Sequence, residues 1–437
     1  MNNIMFLARL LVLFSLVCIS CAHSSFEQKQ LKHALDFATS NRLELEILLQ
    51  HYTYDSLKLE AAKFLIRNMP HCYSYQQGGE MDSVKRVRTY YSPFGQIDQT
   101  YARRWGHYTY RNLLKIYDAH IITAEYLIDN IDRAFDNWQK RPWNRSLSFE
   151  DFCEYLLPYR IGDEPLEEWR ELYEKKYGYL LDSIYKGGDV VEAANLVSRH
   201  LQEPVFIYCE DFELPHIGPR YLFSHRYGSC VDAADIVTYA FRAVGIPCME
   251  DTDARGGHVW NVVRDTTGRD VPIWYIASEA VRGSRDTGGY KRGKVYRPMY
   301  GFQEEKAAHL GDDWKSMPLL FYHPYMKDVS YAYYPDTLRI LTGIPDDEVC
   351  YLAHFHEAHW WSCACARSAS GKMEIPNLES ELVYLPMKYT KGNYYPSGFP
   401  FWFAGGEINT FLPDWEKTVK VRLYRKYPVY GWLRSFM

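Results

Sequence analysis

A cysteine followed later by a histidine offers this chain a nucleophile and a base. Cys230 comes after the turn-forming pair Gly228-Ser229 and before apolar residues at helical spacing, so we predict that a helix begins there with Ser229 as its N-cap. A thiol in the first turn of a helix lies at the positive end of the helix dipole, which favours the nucleophilic thiolate. Asp232 in the same turn suits the dipole and partly opposes thiolate formation. Gly245-Ile-Pro247 predicts the end of the helix.

His258 lies on a predicted strand that can carry its imidazole to the thiol. Residues 258–263 are rich in strand-forming side chains, Thr266-Thr-Gly268 predicts a turn, and residues 270–277 predict the returning strand. An imidazole beside a cysteine takes the thiol proton and later protonates the leaving amine. Cys230 and His258 therefore predict a catalytic pair that attacks an amide carbonyl. The alternative for each residue alone is structural, since free cysteine is among the most buried residue types.

The local sequences around both residues resemble a known family. Gly228-Ser-Cys230 at a helix start, then Gly257-His-Val-Trp-Asn261 on a strand, then a second strand, are similar to the transglutaminase-like core of the papain-like cysteine enzymes. The resemblance covers residues 215–285. It implies a peptide or protein substrate and a thioester that passes to water or to an amine, with no cofactor and no metal. It also implies that backbone N–H groups at the helix start help to stabilise the oxyanion.

The family pattern implies an acidic residue on the strand after His258 to orient the imidazole, and this sequence departs from it. Residues 271–278 contain no carboxylate, and the nearest acids are Asp270 before them and Glu279 after them. Glu279 has the longer side chain and can reach back. We therefore predict Cys230, His258 and Glu279 as the catalytic residues.

Alternatives to Glu279 stay open. If the hairpin closes around residues 265–268, positions 264 and 269 face each other and Tyr275 faces His258. Tyr275 or Ser278 would orient the ring less strongly than a carboxylate. If the acid is missing instead, activity is impaired or absent. The protein would then bind peptide or glycan without catalysis, or serve as a structural module of a surface complex.

The first 21 residues predict export. Arg9 precedes the apolar run Leu10–Ile19, which is too short to span a bilayer and is typical of a signal-peptide core. Cys21 after Ser20 resembles the acceptor of a bacterial lipoprotein signal, although the position three before it is Cys18 rather than the usual Leu. We expect Cys21 to be acylated and to anchor the protein to a membrane of the cell envelope, periplasmic or surface-exposed. Plain secretion is the alternative.

Charge and cysteine spacing argue against other classes. The net charge is −5, so nothing favours nucleic-acid binding. Among the eight cysteines that follow Cys21, no two are separated by two residues, as they are in zinc sites. Scattered cysteines in an exported protein indicate few disulfides. The 38 Tyr, 21 Phe and 12 Trp suit a surface that binds sugars or peptides, and equally suit an aromatic core.

The order of patterns predicts an α+β protein with three folded parts. Amphipathic spacing dominates the first part, in which Asn41 with Glu44 resembles a capping box. From about residue 317 the apolar period changes to two, which is typical of strands. The predicted parts are a lipoprotein signal peptide at 1–21, a helical N-terminal region at 22–147, a papain-like, transglutaminase-like core at 148–310, and a C-terminal antiparallel β domain of sandwich type at 317–437.

Two cationic features permit a functional and a structural interpretation. Arg160 would either hold a substrate carboxylate at the cleft or tie helices to a loop as a buried side chain. Residues 282–298 are rich in glycine, lysine and arginine. They predict a mobile loop, either at the rim of a cleft that attracts acidic substrate or simply solvated.

A run of histidines near residue 356 also has two interpretations. His354 and His356 share one face of a predicted strand, which is a weak metal-binding pattern. A hairpin that turns at residues 357–358 explains the run without metal. The same hairpin register places Cys350 opposite Cys365, which predicts a cross-strand disulfide in an oxidising compartment.

Overall fold

The structure, a computed structural model, contains both helices and strands, which confirms the α+β class. Cys21 and the signal segment predicted at 1–21 lie outside the residues it describes. Among the described residues, none of the helices is long and apolar enough to span a membrane. The described residues are 25–87, 110–203, 205–208, 214–254, 257–276, 278–285, 291–303, 317–341, 344–356, 359–414, 416 and 417.

Helices are concentrated in the first half of the chain. They are α1 (25–37), α2 (Arg42–His51), α3 (Ser56–Asn68), α4 (Glu80–Val87), α5 (Ala124–Lys140), α6 (Phe149–Tyr155), α7 (Arg170–Tyr179), α8 (Val190–Leu201), α9 (Pro219–Ser224), α10 (Cys230–Ala243) and α11 (Leu319–Tyr322).

Strands are concentrated in the second half. They are β1 (Tyr73–Tyr75), β2 (Lys115–Tyr117), β3 (Ile207–Tyr208), β4 (Tyr227–Gly228), β5 (Cys248–Asp253), β6 (Val259–Arg264), β7 (Asp270–Ile273), β8 (Val295–Pro298), β9 (Met326–Asp328), β10 (Asp336–Leu341), β11 (Val349–His356), β12 (His359–Arg367), β13 (Lys372–Leu378), β14 (Leu382–Thr390), β15 (Asn393–Pro396), β16 (Phe401–Ala404) and β17 (Glu407–Thr410).

The N-terminal helices pack around a shared buried cluster. Ala34 of α1, Leu45 of α2 and Leu65 of α3 belong to it. Leu127 of α5 and Phe152 of α6 complete it from the other side. Because each helix presents its apolar residues at helical spacing, one face of each is removed from water. The cluster extends past residue 147 into the range predicted for the core, since α6 contributes to it.

Asn41 and Glu44 connect α2 to a distant segment. The amide nitrogen of Asn41 donates to the carbonyls of Ala119 (3.1 Å) and Ile122 (2.8 Å). Glu44 Oε2 accepts from the backbone N–H of Ala124 (2.8 Å). The predicted capping box is therefore wrong, because both side chains satisfy backbone groups ahead of α5 instead of their own helix start.

A five-stranded antiparallel sheet, in the order β7-β6-β5-β8-β9, lies at the centre. Helix α10 packs across β5 and β6. Asn261 of β6 donates to Thr238 Oγ1 (2.9 Å), and one turn later Arg242 Nε donates to the carbonyl of Cys248 (3.2 Å). Since Cys248 pairs with Val263, the contacts advance along the helix and along β6 together. Helix α10 therefore runs in the same direction as β6.

The C-terminal end of α10 is held by side chains of the N-terminal region. The helix ends at Ala243, and Gly245 adopts a left-handed conformation (φ 81°), as the Gly-Ile-Pro sequence predicts. The last carbonyls of a helix have no partner within it. The bonds that satisfy them are Asn137 Nδ2 to Ala243 O (3.1 Å), Arg141 Nε to Val244 O (2.8 Å), Trp143 Nε1 to Gly245 O (2.9 Å) and Asn144 Nδ2 to Gly245 O (3.0 Å).

The C-terminal strands form a six-stranded sheet and a two-stranded sheet. The larger sheet has the order β12-β11-β14-β16-β17 with β15 beside β14, and the smaller one pairs β10 with β13. Leu338 and Ile375 of the small sheet pack against Leu352 and Phe403 of the large one. Strand β9 and Tyr333, although within residues 317–437, join the central sheet and its core.

The hairpin of β11 and β12 contains a bulge. His356 pairs with His359, which confirms the predicted hairpin around a turn whose two residues lie outside the described chain. Farther along, the register shifts by one, so that Cys350 lies opposite Ala366 and not opposite Cys365. The two cysteines then project from opposite faces of the sheet. The predicted disulfide is wrong for this reason.

Arg160 is a structural residue. It is buried and donates to both carboxylate oxygens of Asp118 (2.5 Å each). Tyr159 donates to the same carboxylate (3.0 Å), and Arg160 also donates to the carbonyl of Glu164. A protein carboxylate thus occupies the site that a substrate carboxylate would need. This confirms the structural interpretation of Arg160.

Of the four cations of residues 291–298, Lys291 is exposed and the other three lie inside the protein. Arg292, Lys294 and Arg297 are buried, and the segment ends in β8. Lys294 pairs with Asp328 (2.5 Å). The prediction of a mobile or solvated loop is wrong for this part, because three of the four cations are taken up by internal partners. Residues 286–290 of the predicted loop lie outside the described chain.

Candidate active site

Cys230 is the first residue of α10, as the sequence predicts. Ser229 is the N-cap, and Asp232 Oδ2 accepts from its backbone N–H (2.7 Å) and its hydroxyl (3.2 Å). The carboxylate packs against Gly228, where a Cβ would lie 2.2 Å from Asp232 Oδ2. Glycine ahead of the cap and an acid inside the first turn therefore set the thiol at the helix start.

The side chain of Cys230 is fully buried in the core that α10 shares with the central sheet. Its place in the first turn brings the thiol to the positive end of the helix dipole. Cys248, on β5, is buried against the same helix without lying at a helix start. Burial raises the pKa of the Cys248 thiol to about 12. Cys248 is thus an internal reference for a buried structural thiol.

His258 lies immediately before β6, with its ring between two tryptophans. Its carbonyl accepts from Thr252 Oγ1 (3.1 Å) and from the backbone N–H of Asp253 (3.2 Å). The ring lies 5.6 Å from that of Trp260, at 29°, and 4.7 Å from that of Trp274, at 77°. The side chain is 7% exposed. Backbone bonds and aromatic contacts together hold the imidazole in place.

The backbones of Cys230 and His258 lie at the same end of the contact between helix and sheet. Cys230 is one turn ahead of Ala234, whose carbonyl accepts from Asn261 (3.1 Å), and His258 is just ahead of Asn261 along β6. Since α10 and β6 run in the same direction, the N-terminal end of the helix and the N-terminal end of the strand lie at the same end of their contact. The imidazole itself packs with Trp260, on the face of β6 opposite to the one that bears Asn261.

Tyr275 does not face His258. Position 264 pairs with 270 and not with 269, because the side chain of Asp265 closes a longer loop by accepting backbone N–H bonds. The predicted register is wrong by one residue, and Trp274 is the residue that reaches the imidazole. Ser278 uses its backbone N–H to bond the carbonyl of Trp274 (2.7 Å).

The two acids that the sequence singles out are engaged elsewhere. Glu279 Oε1 lies 2.6 Å from Arg199 NH1, and both side chains are about half exposed. Asp270 is buried and lies 2.8 Å from Arg297 NH1. The contacts of Glu279 are thus those of a surface ion pair, and its role toward His258 stays a prediction.

Asp253 is a carboxylate near His258 that sequence reasoning missed. Thr252 pairs with Val259, so the next residue along β5, Asp253, lies across from His258. Asp253 is buried, and its Oδ1 accepts from the backbone N–H of Gly257 (2.7 Å). The sequence signal that could have revealed Asp253 is the recurrence of acidic residues at every second position of a buried strand. Asp253 precedes the histidine, and a search for an acid after it passes over this residue.

A second histidine is partly buried beside α10 and is held by charge. His216 Nδ1 lies 2.9 Å from Asp235 Oδ2 and 3.0 Å from Asp235 Oδ1. Burial lowers the pKa of His216, but the Asp235 carboxylate raises it further, so that the pKa lies well above the ordinary value. His216 therefore stays protonated at neutral pH.

Glu250, on β5, completes this buried cluster. Burial, followed by the charge of Asp235, raises the pKa of Glu250 to about 8. The hydroxyl of Thr238 lies 2.7 Å from Glu250 Oε1, 2.9 Å from Asn261 Nδ2 and 3.1 Å from the carbonyl of Ala234. A hydroxyl has one proton and two lone pairs. All three bonds are satisfied when a protonated Glu250 donates to Thr238.

In the described parts of the chain, no three His, Cys, Asp or Glu side chains form a group that would hold a metal ion. Comparison of the chain with protein-family models, with curated proteins and with solved structures gives no match.

Proposed function

We propose that this protein is an exported cysteine enzyme with a transglutaminase-like, papain-like core and a C-terminal domain of sandwich type. An acylated Cys21 would anchor it to a membrane of the cell envelope. Its substrates are amide bonds of peptides or proteins. The observation that carries the proposal is the common direction of α10 and β6. It brings the helix start, with Cys230, and the strand start, with His258, to one end of the core.

The reaction has two balanced stages. His258 takes the thiol proton, and the Cys230 sulfur attacks the amide carbonyl, whose oxygen becomes an oxyanion beside the N–H groups at the start of α10. The C–N bond breaks, the amine leaves with the proton from His258, and a thioester remains. Water or a second amine then attacks the thioester, which yields an acid or a new amide and restores the thiol.

The reactivity of Cys230 tests the proposal. The full chain is labelled with iodoacetamide at neutral pH, and the rates at Cys230 and Cys248 are compared by mass spectrometry. Labelling in denaturant supplies the common reference. We expect Cys230 to react at least about tenfold faster than Cys248, because in the proposal only Cys230 has both a helix start and a base, His258. His258→Gln is expected to remove most of the difference.

Equal rates at Cys230 and Cys248 in the folded protein would rule out an activated nucleophile. A faster Cys230 whose rate is unchanged in His258→Gln would leave a reactive thiol without its base, which also contradicts the proposal. Thermal unfolding of His258→Gln shows whether the substitution has disturbed the core.

A non-catalytic binding protein for peptide or glycan is the second candidate. The complete burial of Cys230 favours it, since a nucleophile has to meet its substrate. The surface ion pair of Glu279 with Arg199 favours it as well. This candidate predicts a Cys230 that is no more reactive than Cys248, together with saturable binding of peptide or glycan in the absence of turnover.

A further inference from the structure

The ring of His258 is enclosed by tryptophans of two adjoining strands. Trp260 lies along its face, with the ring centres 5.6 Å apart and the planes at 29°. Trp274 approaches at 4.7 Å and 77°. Trp260 is fully buried and Trp274 is 8% exposed. An imidazole in contact with two large rings, one nearly parallel and one nearly perpendicular to it, is restricted in its rotation.

Trp260 is itself held by a chain of hydrogen bonds. Its Nε1–H donates to Tyr333 OH (2.9 Å), and the Tyr333 hydroxyl donates to Asp251 Oδ2 (2.7 Å). The Asp251 carboxylate accepts from Arg297 Nε (2.5 Å) and NH2 (3.0 Å). All four side chains are buried. Since they come from β6, β5, β8 and the segment after β9, the indole orientation is determined by the whole central sheet.

The charge that develops on His258 is one that an indole stabilises. The π face of tryptophan attracts cations, and the attraction is stronger in a buried site. The imidazolium formed when His258 takes a proton is such a cation. Two charged groups adjoin this site. The Arg292 guanidinium lies 4.7 Å from the Trp260 ring and opposes a further cation, and the carboxylate of Asp253, across from His258, favours one.

We infer that Trp260 and Trp274 fix the plane of the His258 ring and stabilise its protonated form. Tyr333 acts through Trp260 as a positioning residue. The two acids near the returning strand are held in other ion pairs. The catalytic meaning of this inference rests on the proposed function, whereas the effect on the imidazole does not.

The titration of His258 tests the inference without any activity measurement. The imidazole is titrated by NMR in the full chain carrying Cys230→Ser, with His258→Gln to assign its signals. Trp274→Leu is expected to raise the acid dissociation constant of the imidazolium about fivefold, the factor that corresponds to a cation–π contact of ~1 kcal/mol. Trp274→Phe keeps a ring and is expected to give about a twofold change. Trp402→Leu, at an exposed tryptophan of β16, should give none.

An unchanged dissociation constant in a folded Trp274→Leu protein would overturn the inference. If that variant does not fold, Trp274→Phe decides instead, and an unchanged dissociation constant there would count equally against the inference. A slow Cys230 in the alkylation experiment together with a normal tryptophan effect would refute the enzyme and leave this inference standing. A fast Cys230 together with an unchanged His258 titration in the tryptophan variants would support the enzyme and refute this inference.

Discussion

Two histidines, His258 buried and His216 partly buried, lie near α10 and the central sheet, and their surroundings differ. His216 lies against the carboxylate of Asp235, which keeps it protonated. His258 contacts the rings of Trp260 and Trp274, with the carboxylate of Asp253 across from it on β5. A base has to release its proton at the working pH, which a histidine held by a buried ion pair does poorly. The comparison assigns His216 to the fold, while proton transfer by His258 belongs to the proposed function.

The largest expected effect is the loss of the ion pair at His216. Asp235→Asn removes the charge and keeps the shape, so a protonated imidazole remains buried without its counter-ion. Breaking a buried pair in this way typically costs about 3–5 kcal/mol of unfolding free energy. Urea unfolding measures the cost. Glu374→Gln, which breaks the exposed pair with Arg339, is the matched control and should cost less than ~1 kcal/mol. A small cost at Asp235 would contradict the structural role of His216.

The raised pKa of Glu250, which lies in the same cluster as His216, makes the stability of the protein depend on pH. The pKa of Glu250 rises from 4.5 to about 8 on folding, so the folded protein binds more protons than the unfolded chain between these values. Stability is therefore greatest below pH 4.5 as far as this group is concerned, and is lost as the pH rises through 8. His216, whose pKa is also raised, contributes in the same direction.

From Glu250 alone we expect the unfolding free energy to fall by about 4 kcal/mol between pH 5 and pH 9. Glu250→Gln should remove most of that slope, because the amide cannot ionise. Urea unfolding at a series of pH values measures both. A slope that survives in Glu250→Gln would place the titrating group elsewhere.

Tyr333→Phe sharpens the comparison on the side of His258. It removes the bond to Trp260 and the bond to the charged Asp251, while both rings keep their contacts. The expected loss is about 2 kcal/mol of unfolding free energy. Alkylation of Cys230 should slow in this variant while Cys248 is unaffected. Equal changes at both cysteines would indicate general loosening of the core and no specific role for Tyr333.

The smallest effect is expected at Glu279. Its ion pair with Arg199 is about half exposed on both sides, so Glu279→Gln should cost less than ~0.5 kcal/mol. If Glu279 does not orient His258, the rate of Cys230 alkylation will be unchanged. A large fall in that rate would restore Glu279 as the third catalytic residue and would show that its ion pair breaks in the reacting state.

Local signals determined the elements around the candidate site. The start of α10 follows from Gly228, Ser229 and Asp232, because capping involves only neighbouring residues. Its end follows from Gly245, which adopts the left-handed conformation that glycine tolerates best. The strands β11, β12 and β14 were predictable from their alternation for the same reason, since each pattern depends on one segment alone.

Tertiary structure decided the pairings. A bulge in β11 and a longer loop at Asp265 each moved a register by one residue, which separated Cys350 from Cys365 and brought Trp274 to His258. Asn41 donates a hydrogen bond to a segment that follows it by almost eighty residues, and Arg160 forms an ion pair with Asp118. Such partners cannot be read from spacing, because a polar group that enters the core bonds whatever complementary group the packing brings to it.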